Sequence, residues 1–125
     1  MIRLLLMRLL LMLLALMPTL ASAQTVPRGQ ILYLQCRACH TLKAGEPHKV
    51  GPNLHRIFVR PPLAAKDFKY SPIFQTAKPK WTPEMLDKWL ERPGTLYKGT
   101  TMAFAGMAKP ADRAQLIAWV KEATR

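Results

Sequence analysis

Cysteine is scarce in this chain: Cys36 and Cys39 are the only two in 125 residues. That leaves room for one disulfide at most, and for half of a cysteine zinc site, which would need further ligands. Acidic residues are few as well, seven against nineteen Lys and Arg, for a net charge of +12. Nucleic acid is one usual partner of so basic a domain, but no nucleic-acid motif occurs here. Internal repeats and low-complexity tracts are absent, so one small domain is the unit to explain. Strands have little room, because eight of the eleven prolines fall between Pro47 and Pro93 and proline removes a ladder donor.

What the two cysteines do have is their spacing. Residues 36–40 read Cys-Arg-Ala-Cys-His, the C-x-x-C-H pattern of c-type haem attachment. Two thiols three residues apart can each add to a vinyl group of one porphyrin, giving thioethers at Cys36 and Cys39. His40 follows at once, so its imidazole is carried to the iron. The alternatives are a redox-active thiol pair, a lone disulfide or part of a zinc site. A thioredoxin-like motif would need a βαβ context, which the flanking residues do not supply.

The start of the chain supports the haem reading. Arg3 and Arg8 precede an apolar run from Leu9 to Met17, then Pro18 and Ala21-Ser22-Ala23. A basic start, a short apolar stretch and an A-x-A end make up a secretory signal. The expectation is a cleaved signal over 1–23 and a mature domain over 24–125 that begins at Gln24. The rival is an uncleaved anchor, since 2–20 is close to the ~20 residues a span needs; Arg8 and Pro18 argue against it. Bacterial c-type haem is attached outside the cytoplasm, which points to the periplasm. Cleavage takes two arginines, leaving seventeen bases and seven acids, a balance of +10. Such a charge steers a protein towards acidic partners and weakens with salt.

The mature chain reads as all-α. A short helix is expected from Gly29 to Ala38, and a second from Thr82-Pro83-Glu84, with Thr82 as N-cap. Met85, Leu86, Trp89 and Leu90 form its apolar stripe, and Arg92-Pro93-Gly94 stops it. A last helix starts near Pro110, with Asp112 in its first turn and Leu116, Ile117 and Val120 on one face. The rest is ordered loop, which needs a large central object to wrap.

With C-x-x-C-H in place, Gly51-Pro52-Asn53-Leu54-His55, Phe68-Lys69-Tyr70-Ser71, Trp81 and the 99–106 segment Gly-Thr-Thr-Met-Ala-Phe-Ala-Gly resemble class I c-type cytochromes. The match runs through the chain from about Gly29. The resemblance implies the cytochrome c fold, with terminal helices packed together and loops wrapped around one covalent haem c with its iron. It implies Met102 as the second iron ligand beside His40, and the Pro52 carbonyl as acceptor of the other imidazole N–H. Arg60, Tyr70, Trp81 and Thr100 would sit by the propionates, and Phe104 would cover the haem near its exposed edge. Gly29 and Tyr33 would pack on Leu116 and Trp119. Met85 and Met107 are expected to be core, and His48 and His55 to be loop histidines rather than ligands.

Five positions depart from the family pattern. Lys98 replaces the proline that usually precedes the Gly-Thr of the methionine loop. Trp89 stands where a tyrosine commonly reaches the methionine sulfur; its indole N–H could donate instead, but with a different reach. Arg56 and Val59 replace two loop glycines, so either needs φ > 0 if the backbone is kept. Phe74 replaces a polar residue and implies a drier pocket.

The expected function is single-electron transfer between redox partners in the periplasm, by Fe(III)/Fe(II) haem with His/Met ligation. Partners would be redox proteins with an acidic docking surface, such as a cytochrome bc complex, a terminal oxidase or a periplasmic dehydrogenase. Lys43, Lys49, Lys98 and Lys109 are the candidate rim. Neither nucleic acid nor enzymatic activity is expected, and the membrane is reached only through partners if the signal is removed. A monomer is expected. The competing readings are an electron-accepting subunit of a periplasmic dehydrogenase and a haem peroxidase, reached if the Met102 loop opens.

Overall fold

The structure, a computed structural model, describes residues 1–3, 7–8 and 25–125. The expected signal over 1–23 lies largely outside the described residues, as does Gln24. Five helices follow: α1 Arg28–Arg37, α2 Pro72–Ala77, α3 Pro83–Glu91, α4 Pro93–Leu96 and α5 Pro110–Ala123. Among the described residues there is no strand, and no helix is long and apolar enough to cross a membrane.

Proline writes most of these helix starts. α2, α3, α4 and α5 each carry Pro in their first turn, where its missing N–H would be unpaired anyway and its fixed φ suits the helix. In α3 the Thr82 hydroxyl also accepts the Met85 N–H at 3.1 Å, as its position before Pro83 predicts. The same rule corrects the expected loop-dominated middle, in which only the Thr82 helix was foreseen. The prolines read as breakers also start two short helices, α2 and α4. Pro93 does end α3, but the chain turns helical again at once.

The terminal helices α1 and α5 pack together, and α3 joins them on α5. Gly29 allows the first contact: a Cβ there would overlap the Gln115 carbonyl and Trp119 Cβ. One turn on, the Tyr33 and Trp119 rings stand 5.0 Å apart. α5 contributes Leu116, 1% exposed, with Ile117 and Val120, and α3 contributes Leu86, Trp89 and Leu90. Met107 is buried with them, as expected, while Met85 is half-buried and accepts the Tyr97 O–H at 3.8 Å.

Arg113 ties this frame to the loop before α5. Its Nε donates to Asp87 Oδ1 on α3 at 2.7 Å, and its Nη1 donates to the carbonyls of Met107 and Ala108 at 2.8 and 3.2 Å. The Met107 N–H donates to Leu90 O at 2.7 Å. Gly106, at φ +111°, lies so close to the Glu91 carbonyl that no Cβ fits. The segment after Phe104 is thereby pinned to the end of α3.

Candidate haem site

Between the helical frame and the loops lies one cavity of about 220 Å³, measured to the centres of water-sized spheres. All ten residues expected at a haem line it: Cys36, Cys39, His40, Pro52, Arg60, Tyr70, Trp81, Thr100, Met102 and Phe104. They come from segments up to 68 residues apart in sequence.

The first wall is the end of α1. The N–H groups of Cys39 and His40 both donate to Cys36 O, at 3.0 and 2.9 Å, a tight turn that gathers both thiols and the imidazole. His40 Nδ1 lies 2.7 Å from Pro52 O. A carbonyl only accepts, so Nδ1 carries the proton and the neutral ring keeps its lone pair on Nε2. Burial holds the His40 pKa below the ordinary histidine value, against the raising effect of the Pro52 bond. The neutral ring is therefore favoured, as a metal ligand requires. The His40 ring also closes on Gly51, where any Cβ would overlap it.

Burial, aided by neighbouring Cys39, pushes the Cys36 thiol up to about 11. A reactive redox thiol shows the opposite shift. Tyr33 closes the wall from behind, its O–H donating to His40 O at 3.1 Å, and burial pushes its pKa up to about 12.

The second wall is the methionine loop. The Met102 N–H donates to Thr100 Oγ1 at 3.2 Å, and the Phe104 N–H to Met102 O at 3.0 Å. Ser71 secures the near end of this loop: its Oγ accepts the Thr101 N–H at 2.9 Å and lies 2.8 Å from Thr101 Oγ1. Sequence reasoning had no role for Ser71; a buried serine after a loop aromatic is the only signal it gives. Lys98 is exposed and Gly99 takes φ +89°, so the bend there rests on glycine without the usual proline.

The third wall holds Arg60, Tyr70 and Trp81. Arg60 is half-buried; its N–H donates to Arg56 O at 3.0 Å, but among the described residues its guanidinium has neither a carboxylate partner nor a hydrogen bond. Burial pulls its pKa down, partly offset by Tyr70. A half-buried guanidinium at the margin of a largely apolar cavity suits an anion, and the propionates of a haem would supply one. Together with two thiols, a neutral imidazole and a thioether, this donor set fits haem c.

Phe74 fills the deep side of the cavity within an aromatic cluster, its ring 5.5 Å from Trp89 and 5.3 Å from Tyr97. The Trp89 expectation is corrected: among the described residues no hydrogen bond joins its indole to Met102, and the ring packs instead against Phe74, Trp81 and Tyr97. Of the two lost glycines only Arg56 has a positive φ, 55°; Val59 does not.

The histidines outside the motif do structural work. His48 accepts the Asn53 N–H on Nδ1 at 2.8 Å and faces Asp67 Oδ1 with Nε2 at 3.0 Å. Asn53, 6% exposed, donates from Nδ2 to the carbonyls of Lys43 and Glu46 and accepts the His55 N–H. This unforeseen hub holds the loop that presents the Pro52 carbonyl. Among the described residues no group of three or more His, Cys, Asp or Glu could form a separate metal site.

Known proteins agree with this geometry. The family model described as Cytochrome c matches residues 26–124. Cytochrome c of Arabidopsis thaliana is 40% identical over 91 residues, covering 73% of this chain and 81% of that protein. Cytochrome c of Ulva intestinalis is 41% identical over 96 residues, 77% of this chain and 86% of that one. A cytochrome c homolog of Rickettsia bellii is 34% identical over 104 residues, covering 83% of this chain and 60% of the homolog. The chain belongs to the cytochrome c family of monohaem electron carriers, with one covalently attached haem c.

Proposed function

We propose that the protein carries single electrons between redox partners in the periplasm, with His40 and Met102 as iron ligands and thioethers at Cys36 and Cys39. One observation carries the ligand assignment: His40, its Nδ1–H held by Pro52 O at 2.7 Å, shares a single cavity with Met102. When bound, haem c supplies a one-electron Fe(III)/Fe(II) couple, and a His/Met pair raises its potential relative to harder ligands.

The chain's own part is to hold that couple still. Pro52 fixes the His40 tautomer and ring orientation. Ser71 at one end and Arg113 at the other restrain the loop of Met102, so the thioether stays in place as the charge changes. That restraint opposes the loop opening a peroxidase would need. Phe74, Trp81 and Trp89 keep the interior apolar, and Arg60 offsets propionate charge at its margin. The 1–23 segment reads as the export signal, and the balance of +10 that its removal leaves, seventeen bases against seven acids, suits acidic redox partners.

The test is chemical. Protein from a host that attaches c-type haem should keep its pigment through acidified acetone, with an intact mass one haem above the processed chain. The bound haem should reduce and reoxidise reversibly. Freely extracted pigment would sink the covalent assignment, and an unprocessed 1–23 segment would remove the cleaved signal.

A further inference from the structure

Helix α3 has two tasks. Leu86, Trp89 and Leu90 line the cavity. The C-terminal half of the helix also holds the end of the methionine loop at three points. Leu90 O accepts the Met107 N–H at 2.7 Å, and Gly106 lies against the Glu91 carbonyl. The third point is indirect: Asp87 holds Arg113, and Arg113 holds the carbonyls of Met107 and Ala108.

This indirect point depends on one carboxylate. The Arg113 side chain is 6% exposed, and a buried guanidinium must have its charge paired. Asp87 pairs it with both oxygens: Oδ1 accepts the Nε–H at 2.7 Å, and Oδ2 accepts from Nη2 at 3.4 Å. Such a fork fixes the plane of the guanidinium, and the plane decides where Nη1 points. It points at the loop, 2.8 Å from Met107 O and 3.2 Å from Ala108 O. Among the described residues no other carboxylate pairs with Arg113. At the near end of the loop Lys98 and Gly99 are exposed, and the hold is the neutral Ser71 hydroxyl on Thr101. Charge-assisted bonds are roughly twice as strong as neutral ones, so the far end carries more of the restraint.

We infer that Asp87 is a positioning residue for the Met102 ligand, acting through Arg113 on the carbonyls of Met107 and Ala108. The inference deepens the electron-carrier reading and rests on its assignment of Met102. Asp87 does not line the cavity, so its effect on the ligand passes through Arg113 alone. Without the carboxylate, Arg113 loses its fixed plane and residues 107–108 lose their hold. The segment that carries Met102 then opens more readily, and an outside nitrogen donor displaces the thioether at lower concentration. Coupling of this kind travels through packed and hydrogen-bonded contacts and is measured by double variants.

The experiment titrates imidazole into the oxidised, haem-loaded protein and follows loss of the near-infrared iron–thioether band. Melting temperatures are taken alongside. Asp87→Ala should bind imidazole about tenfold more tightly than the parent, equivalent to about 1.4 kcal/mol. Asp87→Asn keeps the shape and loses the charge; it should shift the same way by less, and it stands in if Asp87→Ala yields no holoprotein. Thr82→Ala is the control, because it weakens α3 at its other end and touches neither Arg113 nor the loop. Its imidazole affinity should stay near the parent's. Asp87→Ala/Arg113→Gln should bind imidazole no more tightly than Arg113→Gln alone, since both act on one link. If affinity instead follows melting temperature across all the variants, Asp87 serves only the fold and the inference falls. Parent-like affinity in both Asp87 variants also overturns it, even where the melting temperature drops. A parent without the band sinks the Met102 assignment and the inference together, whereas a parent with the band and indifferent Asp87 variants sinks the inference alone.

Discussion

The helical frame and the 56–80 stretch meet at one cavity but are built on different terms. In the frame, local preference and tertiary contact agree. Helices begin at prolines, Thr82 caps α3, Gly29 sits where no side chain fits, and Arg113 pairs with Asp87. The 56–80 stretch breaks local rules three times, with Arg56, Leu63 and Lys78 in left-handed backbone, and among the described residues its exposed cations Arg56, Lys66, Lys69, Lys78 and Lys80 form no ion pair. Agreement across levels specifies a fold, and departures collect where something else is required. The frame answers to stability, and the 56–80 stretch supplies Arg60, Leu63, Phe68 and Tyr70 to the cavity wall.

The comparison can be broken by mutation. Loss of Cys36 or Cys39 should have the largest effect, leaving at most one thioether and a sharply reduced yield of holoprotein by haem-stained gel. Within the frame, Leu116→Ala empties the most buried core position and should cost about 2–5 kcal/mol in denaturant unfolding of the holoprotein. Thr82→Ala should cost about 1 kcal/mol, by loss of the cap on α3.

A smaller, pH-dependent effect belongs to the loop after His40. Glu46 accepts the N–H groups of Leu42 and Lys43, at 3.1 and 2.9 Å, and these bonds hold its carboxyl below the usual range. A depressed carboxylate pKa stabilises the fold above the unfolded value, and the contribution is lost as pH falls through the folded value. Glu46→Gln should therefore flatten the decline in stability below the ordinary Glu pKa and change little near neutrality. An unchanged acid limb would mean that Glu46 is not a structural carboxylate.

Much of the frame was legible because its signals are local. C-x-x-C-H, the Thr-Pro-Glu helix start and the 116/117/120 stripe each sit within a few residues, and α1, α3 and α5 lie where those signals put them. The cavity residues were legible only through family spacing, since periodicity says nothing of which loops converge. α2 and α4 were missed because proline was weighed as a breaker rather than as a first-turn residue. Asn53 and Ser71 were missed for a different reason: each bonds the backbone of a segment it reaches only after folding. The Trp89 indole was weighed as a stand-in for a tyrosine at the methionine sulfur, but its ring packs in the aromatic cluster around Phe74.

The central claim is that the tied loop delivers Met102 to the iron opposite His40, and the sixth ligand tests it most directly. Met107 is the nearest rival in sequence, but it is buried, its N–H bonds Leu90 O, and Arg113 holds its carbonyl. The measurement is the near-infrared iron–thioether absorption of the oxidised protein, taken for the parent, Met102→Ala and Met107→Leu. The account predicts that the band is present in the parent, absent in Met102→Ala and retained in Met107→Leu. A band that survives Met102→Ala but disappears in Met107→Leu would contradict it.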